Sequence, residues 1–346
     1  MKFGIFDHCE RSTRSVSTTY KERIEIAKRA EKAGFYAYHV AEHHGTPYSL
    51  VPSPNIFLAA LAQHTTTLRF GPLVYLLPLY DSYRLVQEIC MIDNMSDGRL
   101  ELGIGRGANP IELSFFGLNP SSAKDLFEER FQVLIEAFRD GKVTSVGQGN
   151  GIGHGPIDIR PVQQPCPPIW YPSSGGSDAL IRAASKGCHT IVNGNLEACT
   201  QAVQVFRENY KPGAFGDNPK IGLTRYVYIA ETDEEAFRVG GEAFNYHLDN
   251  LTKLGRDAGL DSSKSPIMPP RDLKDAVAAG WACAGSPATV REQLAKIFDK
   301  VGNNYFVFAP QMADLSLEWG LRAIDLFEQE IMPHFAETGE AVTVSA

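Results

Sequence analysis

Eight times along this chain a short β-rich run gives way to a longer segment whose apolar residues recur at helical spacing, and few architectures accommodate that rhythm. Residues 2–6 form the first strand. The helix after it is expected to open on a capping box, Thr19-Tyr20-Lys21-Glu22, to show Tyr20, Ile24, Ala27 and Ala30 on one face, and to stop at Gly34. Residues 36–41 and 68–77 give the second and third strands. Their helices start at Ser53-Pro54 and at Asp81 or Ser82, the latter ending at Asp97-Gly98. The fourth unit is residues 100–104 with a helix from Ser121 or Ser122 to Gly141. The fifth is 169–172 with a helix over 177–186, and the sixth is 190–192 with a helix over 197–210. Residues 223–230, followed by a helix from Asp233, and residues 304–308, followed by a helix over 316–332, complete eight units. Strands each followed by a crossover helix predict an α/β protein, a (β/α)8 TIM barrel.

The chain has 346 residues, more than the ~250 of a minimal barrel. One oversized domain over 1–346 is the expectation. The surplus falls in a Gly-rich and then Pro-rich excursion over 147–168, an irregular insert about 255–285, and the C-terminal tail. The insert fits either an active-site lid or a decoration. The 41 acidic and 33 basic side chains are dispersed, with a formal charge of -8. Nucleic acid as a partner would require a basic stripe, which is absent. The six cysteines contain no CxxC pair, as expected of reduced thiols in a cytoplasmic protein. Asp7 interrupts the N-terminus too early for a signal peptide, and no apolar run is long enough for a membrane span.

Chemistry in a barrel sits at the C-terminal ends of the strands. There the second strand carries Glu42-His43-His44. Adjacent residues on a strand point to opposite sides, which disfavours a metal site. A general acid or base, a hydrogen-bond donor, or a satisfied polar pair all remain compatible with the motif. The fourth strand ends in Gly103-Ile104-Gly105-Arg106-Gly107-Ala108. This matches GxGxxA, but Asn109-Pro110 follows and the next helix cap is expected more than ten residues on, so a dinucleotide fold is not indicated. Close backbone approach to a flat ligand, with Arg106 as a permanent charge, is one reading; a tight structural turn is the other. Ser173, Ser174, Gly175, Gly176 and Ser177 lie where the fifth strand meets its helix, a place for phosphate binding or for ordinary capping by Ser177.

Together these residues resemble the bacterial luciferase-like flavin-dependent monooxygenases. The similarity is dense from Met1 to about Gly187. It includes Lys2-Phe3-Gly4, Ala41-Glu42-His43-His44, Leu76-Leu77-Pro78, Met95-Ser96-Asp97-Gly98-Arg99, Leu102 to Gly107, Phe116-Gly117 and Pro165 to Trp170. The resemblance implies a two-component enzyme that receives reduced FMN from an NAD(P)H-dependent flavin reductase. It implies reaction with O2 through a flavin C4a-hydroperoxide to oxygenate a small, apolar organic substrate, and a homodimer. It assigns His43 to acid, base or hydrogen-bond chemistry, with Glu42 orienting Arg106. A non-proline cis peptide at Leu73-Val74 is implied beneath the isoalloxazine, and Arg106, Gly107, Lys124 and residues 173–177 are implied around the phosphate. Gly105 stands where light-emitting members have cysteine, and Lys124 where arginine is expected, so light emission is not implied. The alternatives are a hydride-transfer oxidoreductase using the deazaflavin F420 and a non-catalytic flavin-binding barrel. Cys9, Phe115, Phe116, Tyr246 and Trp281 suggest an apolar or aromatic-lined cavity, and each fits the core equally well.

Overall fold

Runs such as Ala37–Val40 and Tyr305–Phe308 are buried at every residue, as strands covered on both faces must be. The computed structural model describes residues 1–143, 155–172, 177–213, 218–260 and 268–335. In chain order, β1 (Lys2–Asp7), α1 (Val16–Lys32), β2 (Ala37–Val40) and α2 (Pro54–His64) make the first two units. β3 (Arg69–Pro72), the two-residue β4 (Tyr75–Leu76) and α3 (Ser82–Met95) make the third. β5 (Leu102–Gly105) is followed by a short α4 (Pro110–Phe115) and by α5 (Ala123–Asp140). β6 (Lys142–Val143) pairs antiparallel with β7 (Gly155–Pro156). β8 (Ile169–Trp170), α6 (Ser177–Ser185), β9 (Thr190–Val192) and α7 (Leu196–Asn209) come next. β10 (Ile221–Thr224), β11 (Tyr226–Ile229) and α8 (Asp233–Asp257) form the seventh unit, to which α9 (Leu273–Ala278), β12 (Ala282–Gly285) and α10 (Pro287–Val301) are added. β13 (Tyr305–Phe308) and α11 (Leu317–Glu330) form the eighth.

Parallel pairing runs in the order β3-β2-β1-β13-β10-β9, and β4-β5-β8 forms a second group. Parallel bridges Phe70↔Leu100 and Trp170↔His189 join the two groups into the barrel-like ring expected from the sequence. The large outer core fills the space between strands and helices. A smaller core of Leu73, Trp170, Ile191, Tyr305 and Val307, with Phe6, Tyr36 and Val74 against it, occupies the inside of the ring.

Four local expectations change. Helix α1 starts one turn earlier than Thr19, because Ser15 accepts the Thr18 N–H at 3.1 Å and Thr19 becomes a buried first-turn residue. Asn109 caps α4 directly by accepting the Ile111 N–H, so a helix does begin soon after the GxGxxA match. The 255–285 segment is not irregular throughout: it holds the end of α8, α9 and β12, with β12 pairing β11. The long third and seventh strands each break, the third at a cis Leu73–Val74 bond and the seventh at Arg225. Residues 144–154, 261–267 and the tail from 336 lie outside the described residues, and with them most of the Gly-rich excursion and part of the expected lid. Among the described residues all six cysteines are buried and unpaired. No helix among them is long and apolar enough to cross a membrane.

The N-terminal end of the barrel is closed by a polar network around Glu101, which is fully buried. Its oxygens accept from Arg69, the Tyr36 hydroxyl and the Trp170 indole N–H. Burial alone would raise the Glu101 carboxyl, but Arg69, Lys220 and His189 beside it hold it below the ordinary range. Lys220 lies 4.8 Å from the Tyr36 ring centroid and 3.3 Å from His189 Nε2.

Candidate active site

At the opposite end, β1 stops at Asp7, whose carboxylate accepts the Cys9 N–H at 2.7 Å and pairs with buried Arg23 at 2.8 Å. Cys9 is held in the left-handed region at φ 51°, which an L side chain seldom adopts. His8 and Glu10 flank this turn. Glu10 binds His247 Nδ1 and the Asn250 amide, both from α8. His8 Nε2 lies 2.8 Å from the Tyr48 hydroxyl, and burial, with His247 and His43 nearby, keeps its pKa well below the ordinary value. The His8 imidazole is therefore neutral near pH 7.

The β2 end supplies His43, whose Nδ1 lies 3.0 Å from Glu112 Oε1; the other Glu112 oxygen accepts the His44 N–H at 3.0 Å. Glu112 is on α4. An ionised Glu112 holds the proton on Nδ1 and leaves Nε2 as the chemically available nitrogen. The His43 ring centroid is 4.8 Å from Tyr48 and 6.4 Å from His8. The Tyr48 ring is 5.5 Å from His247. Two carboxylate-backed histidines and a third, neutral one thus surround a single tyrosine.

Glu42 does not orient Arg106. Its oxygens take His44 Nε2 at 2.8 Å, the Leu76 N–H at 3.1 Å and the Tyr80 hydroxyl at 2.9 Å. It is buried, and that burial raises its carboxyl pKa. Its part is to fix the β2 end against the segment that follows the cis bond. Arg106 is exposed and makes no ion pair or hydrogen bond among the described residues; Lys124, in the first turn of α5, is likewise exposed and unpaired.

The cis bond sits where the resemblance implies it. Leu73 belongs to the inner core with Trp170 and Ile191, and Val74 packs on that core. A Cβ on Gly103 would lie 2.1 Å from the Pro72 carbonyl, and one on Gly105 would lie 2.4 Å from a Val74 methyl. These glycines admit the neighbouring strand rather than a flat ligand. Gly107 lies at φ 82°. Ser177 opens α6, while Ser173, Ser174, Gly175 and Gly176 lie outside the described residues.

A small, half-open cleft lies beside these groups, lined by Phe6, His8, Tyr48, Asn193, Thr224, Arg225 and Tyr226. None of the five residues expected to make the cavity lines it. Phe115 and Phe116 are exposed on and just after α4, Phe116 against His44 at 4.8 Å, and Cys9 and Trp281 belong to the outer core. Sequence reasoning also missed Glu10, Glu112, His247 and Arg225. Only Glu112 carried a local signal, as the acidic first-turn residue of a helix opened by Asn109-Pro110.

A barrel with this mouth defines the class, and the family model described as luciferase-like monooxygenase matches residues 1–304. The chain belongs to that family. It is 34% identical over 336 residues to the uncharacterized protein y4wF of Sinorhizobium fredii, covering 96% of each chain. It is 29% identical over 255 residues to the oxygenase component of a flavin-dependent trigonelline monooxygenase of Acinetobacter baylyi, covering 68% of this chain and 67% of that one. In structure it resembles monooxygenase RslO1 of Streptomyces bottropensis, with a TM-score of 0.85 and 25% identity over 97% of this chain and 100% of the other.

Proposed function

We propose that this chain is the oxygenase component of a two-component flavin-dependent monooxygenase. It takes reduced FMN from a separate NAD(P)H-dependent reductase and uses O2 to oxygenate a small organic substrate. The observation that carries the reading is the His43–Glu112 pair beside a small cleft at the C-terminal end of the barrel, in a chain of this family. A cytoplasmic setting suits the buried free thiols, and a homodimer follows from the family resemblance alone.

The residues fit the flavin. Arg106 and Lys124 are cations without partners among the described residues at this end of the barrel, as a phosphate requires, and the start of α6 at Ser177 adds backbone N–H donors. Leu73 is part of the inner core against which Val74 and the cleft residue Phe6 both pack, and this core forms the apolar ground next to the cleft. When bound, reduced FMN supplies the electrons with which O2 is activated. His43 holds or moves a proton at Nε2, because Glu112 occupies Nδ1. Tyr48, bridging His43 and His8, orients both rings. Glu42 fixes His44 and the 75–80 segment.

The test mixes photoreduced FMN with the protein in aerated buffer. Reoxidation slower than that of free reduced FMN, with a change in flavin fluorescence, supports the reading. Reoxidation at the free rate overturns it, and preferential binding of F420 replaces it with hydride transfer.

A further inference from the structure

The described residues contain two buried arginines, and only one of them has a carboxylate beside it. Arg23 has Asp7 at 2.8 Å and Gln311 beside it. Arg225 has no carboxylate. Its Nη1 donates to the Thr224 carbonyl at 2.7 Å, while Nε and Nη2 are buried without any hydrogen-bond partner. An uncompensated buried cation costs several kcal/mol, so a fold that keeps one is using it. Nε and Nη2 also form the edge of the guanidinium that binds a carboxylate through two parallel hydrogen bonds.

The acidic side chains at this end of the barrel are already engaged. Asp7 holds Arg23, Glu10 holds His247 and Asn250, Glu42 holds His44 and Tyr80, and Glu112 holds His43. Arg225 lines the cleft, and next to it are Asn193 and Thr224, whose side chains make no hydrogen bond among the described residues. The remaining walls are Phe6, Tyr48, Tyr226 and the imidazole of His8, all aromatic rings.

We infer that the cleft takes a small organic anion with a flat apolar body, its oxyanion held by the Arg225 fork with help from Asn193 and Thr224. This rests on the proposed function, of which it names the substrate class, and it replaces the uncharged apolar substrate expected from the sequence. Both free nitrogens are out of solvent contact in this conformation, so entry of the anion turns the fork toward the cleft. A phosphate is the other source of the same chemistry. The flavin phosphate belongs with Arg106, Lys124 and α6, on the β5–β8 side of the ring, whereas Arg225 follows β10, with β9 between.

The probes are benzoate and its uncharged isostere benzamide, titrated calorimetrically into the FMN-loaded wild type, Arg225→Met and Arg225→Lys. The wild type should prefer benzoate by about tenfold or more, the value of a charge-assisted pair. Arg225→Met should abolish the preference with benzamide and FMN affinities unchanged, and Arg225→Lys should restore part of it. Arg225→Met should also melt no lower than wild type, since it removes an unpaired buried charge. Equal or absent binding of the two probes by the wild type, a preference that survives Arg225→Met, or a lowered melting temperature in that variant overturns the inference. Loss of FMN affinity in Arg225→Met assigns the fork to the flavin phosphate and overturns it too. Slowed reoxidation of reduced FMN by the wild type, measured separately, shows whether the monooxygenase reading stands regardless.

Discussion

Both ends of this barrel bury carboxylates among histidines and cations, yet they are wired in opposite ways. At the N-terminal end Glu101 gathers Arg69, Tyr36 and Trp170, with Lys220 and His189 alongside, into a network closed on itself. At the C-terminal end the carboxylates are equally engaged, Asp7 with Arg23 and Glu10, Glu42 and Glu112 each with one nitrogen of a histidine, yet among the described residues His247 Nε2 and the Arg225 fork are buried without a hydrogen-bond partner. His39 Nδ1 at the N-terminal end is also buried without a partner, so what sets the C-terminal end apart is that its unpartnered Arg225 lines a cleft.

The sharpest way to break the comparison is Glu101→Gln. Removing the charge from fully buried Glu101 leaves partly buried Arg69 and Lys220 without their counter-ion, and a loss of about 3 kcal/mol is expected. Chemical denaturation should show it, while turnover per folded molecule stays at the wild-type level. Lost turnover in a stable variant would move the functional end of the barrel.

The same end should be sensitive to acid. Burial pushes His39 down to about 4, and burial together with Lys220 does the same to His189. Both folded values lie below the unfolded value near 6.5, so the unfolded chain binds these protons first. Stability is therefore level above pH 6.5 and falls as the pH drops from 6.5 toward 4. His8 at the other end acts with the same sign. His39→Gln should flatten part of the pH dependence of the melting temperature; an unaltered slope would show that His39 does not contribute.

How much of this was legible in the sequence follows from how local each signal is. The strand rhythm, the Asp81 cap and the glycine stops were readable because a strand, a cap and a turn are written within a few residues. The start of α1 was misplaced because its first turn, Val16 to Thr19, is mostly hydroxyl-bearing and carries no apolar period. β12 was missed because Ala-Cys-Ala-Gly has little β-propensity and becomes a strand only by pairing with β11. His43 stood out through its neighbours in sequence. Its partner Glu112 and the Glu10–His247 pair did not, since 69 and 237 residues separate the partners. Arg225 had no signal at all, because what distinguishes it is the absence of an acceptor.

At the functional end the larger effect belongs to His43→Ala. Its ring is partly exposed, so the fold should survive, with a melting temperature near that of the wild type. Turnover on any substrate the wild type accepts should fall ~10²-fold, the usual cost of losing an acid–base group. Wild-type turnover would make His43 a structural residue, and the contrast between the two ends would lose its main support.

Glu112→Gln is the finest probe of the same idea. Glutamine keeps one oxygen to accept the His44 N–H and turns its NH2 to donate to His43 Nδ1, so the ring should keep its place as the Nε2–H tautomer and the fold its stability. What disappears is the charge that stabilises a proton on the imidazole. Replacing a charge-assisted hydrogen bond by a neutral one removes about 1.4 kcal/mol, a factor of about ten. If Glu112 works through His43, that factor appears in kcat, with KM and FMN affinity unchanged, and it vanishes in the His43→Ala background, where there is no imidazole left to poise. A fall in KM or in melting temperature of comparable size, or an undiminished effect without His43, would instead place Glu112 with Glu101 among the groups that hold the barrel together.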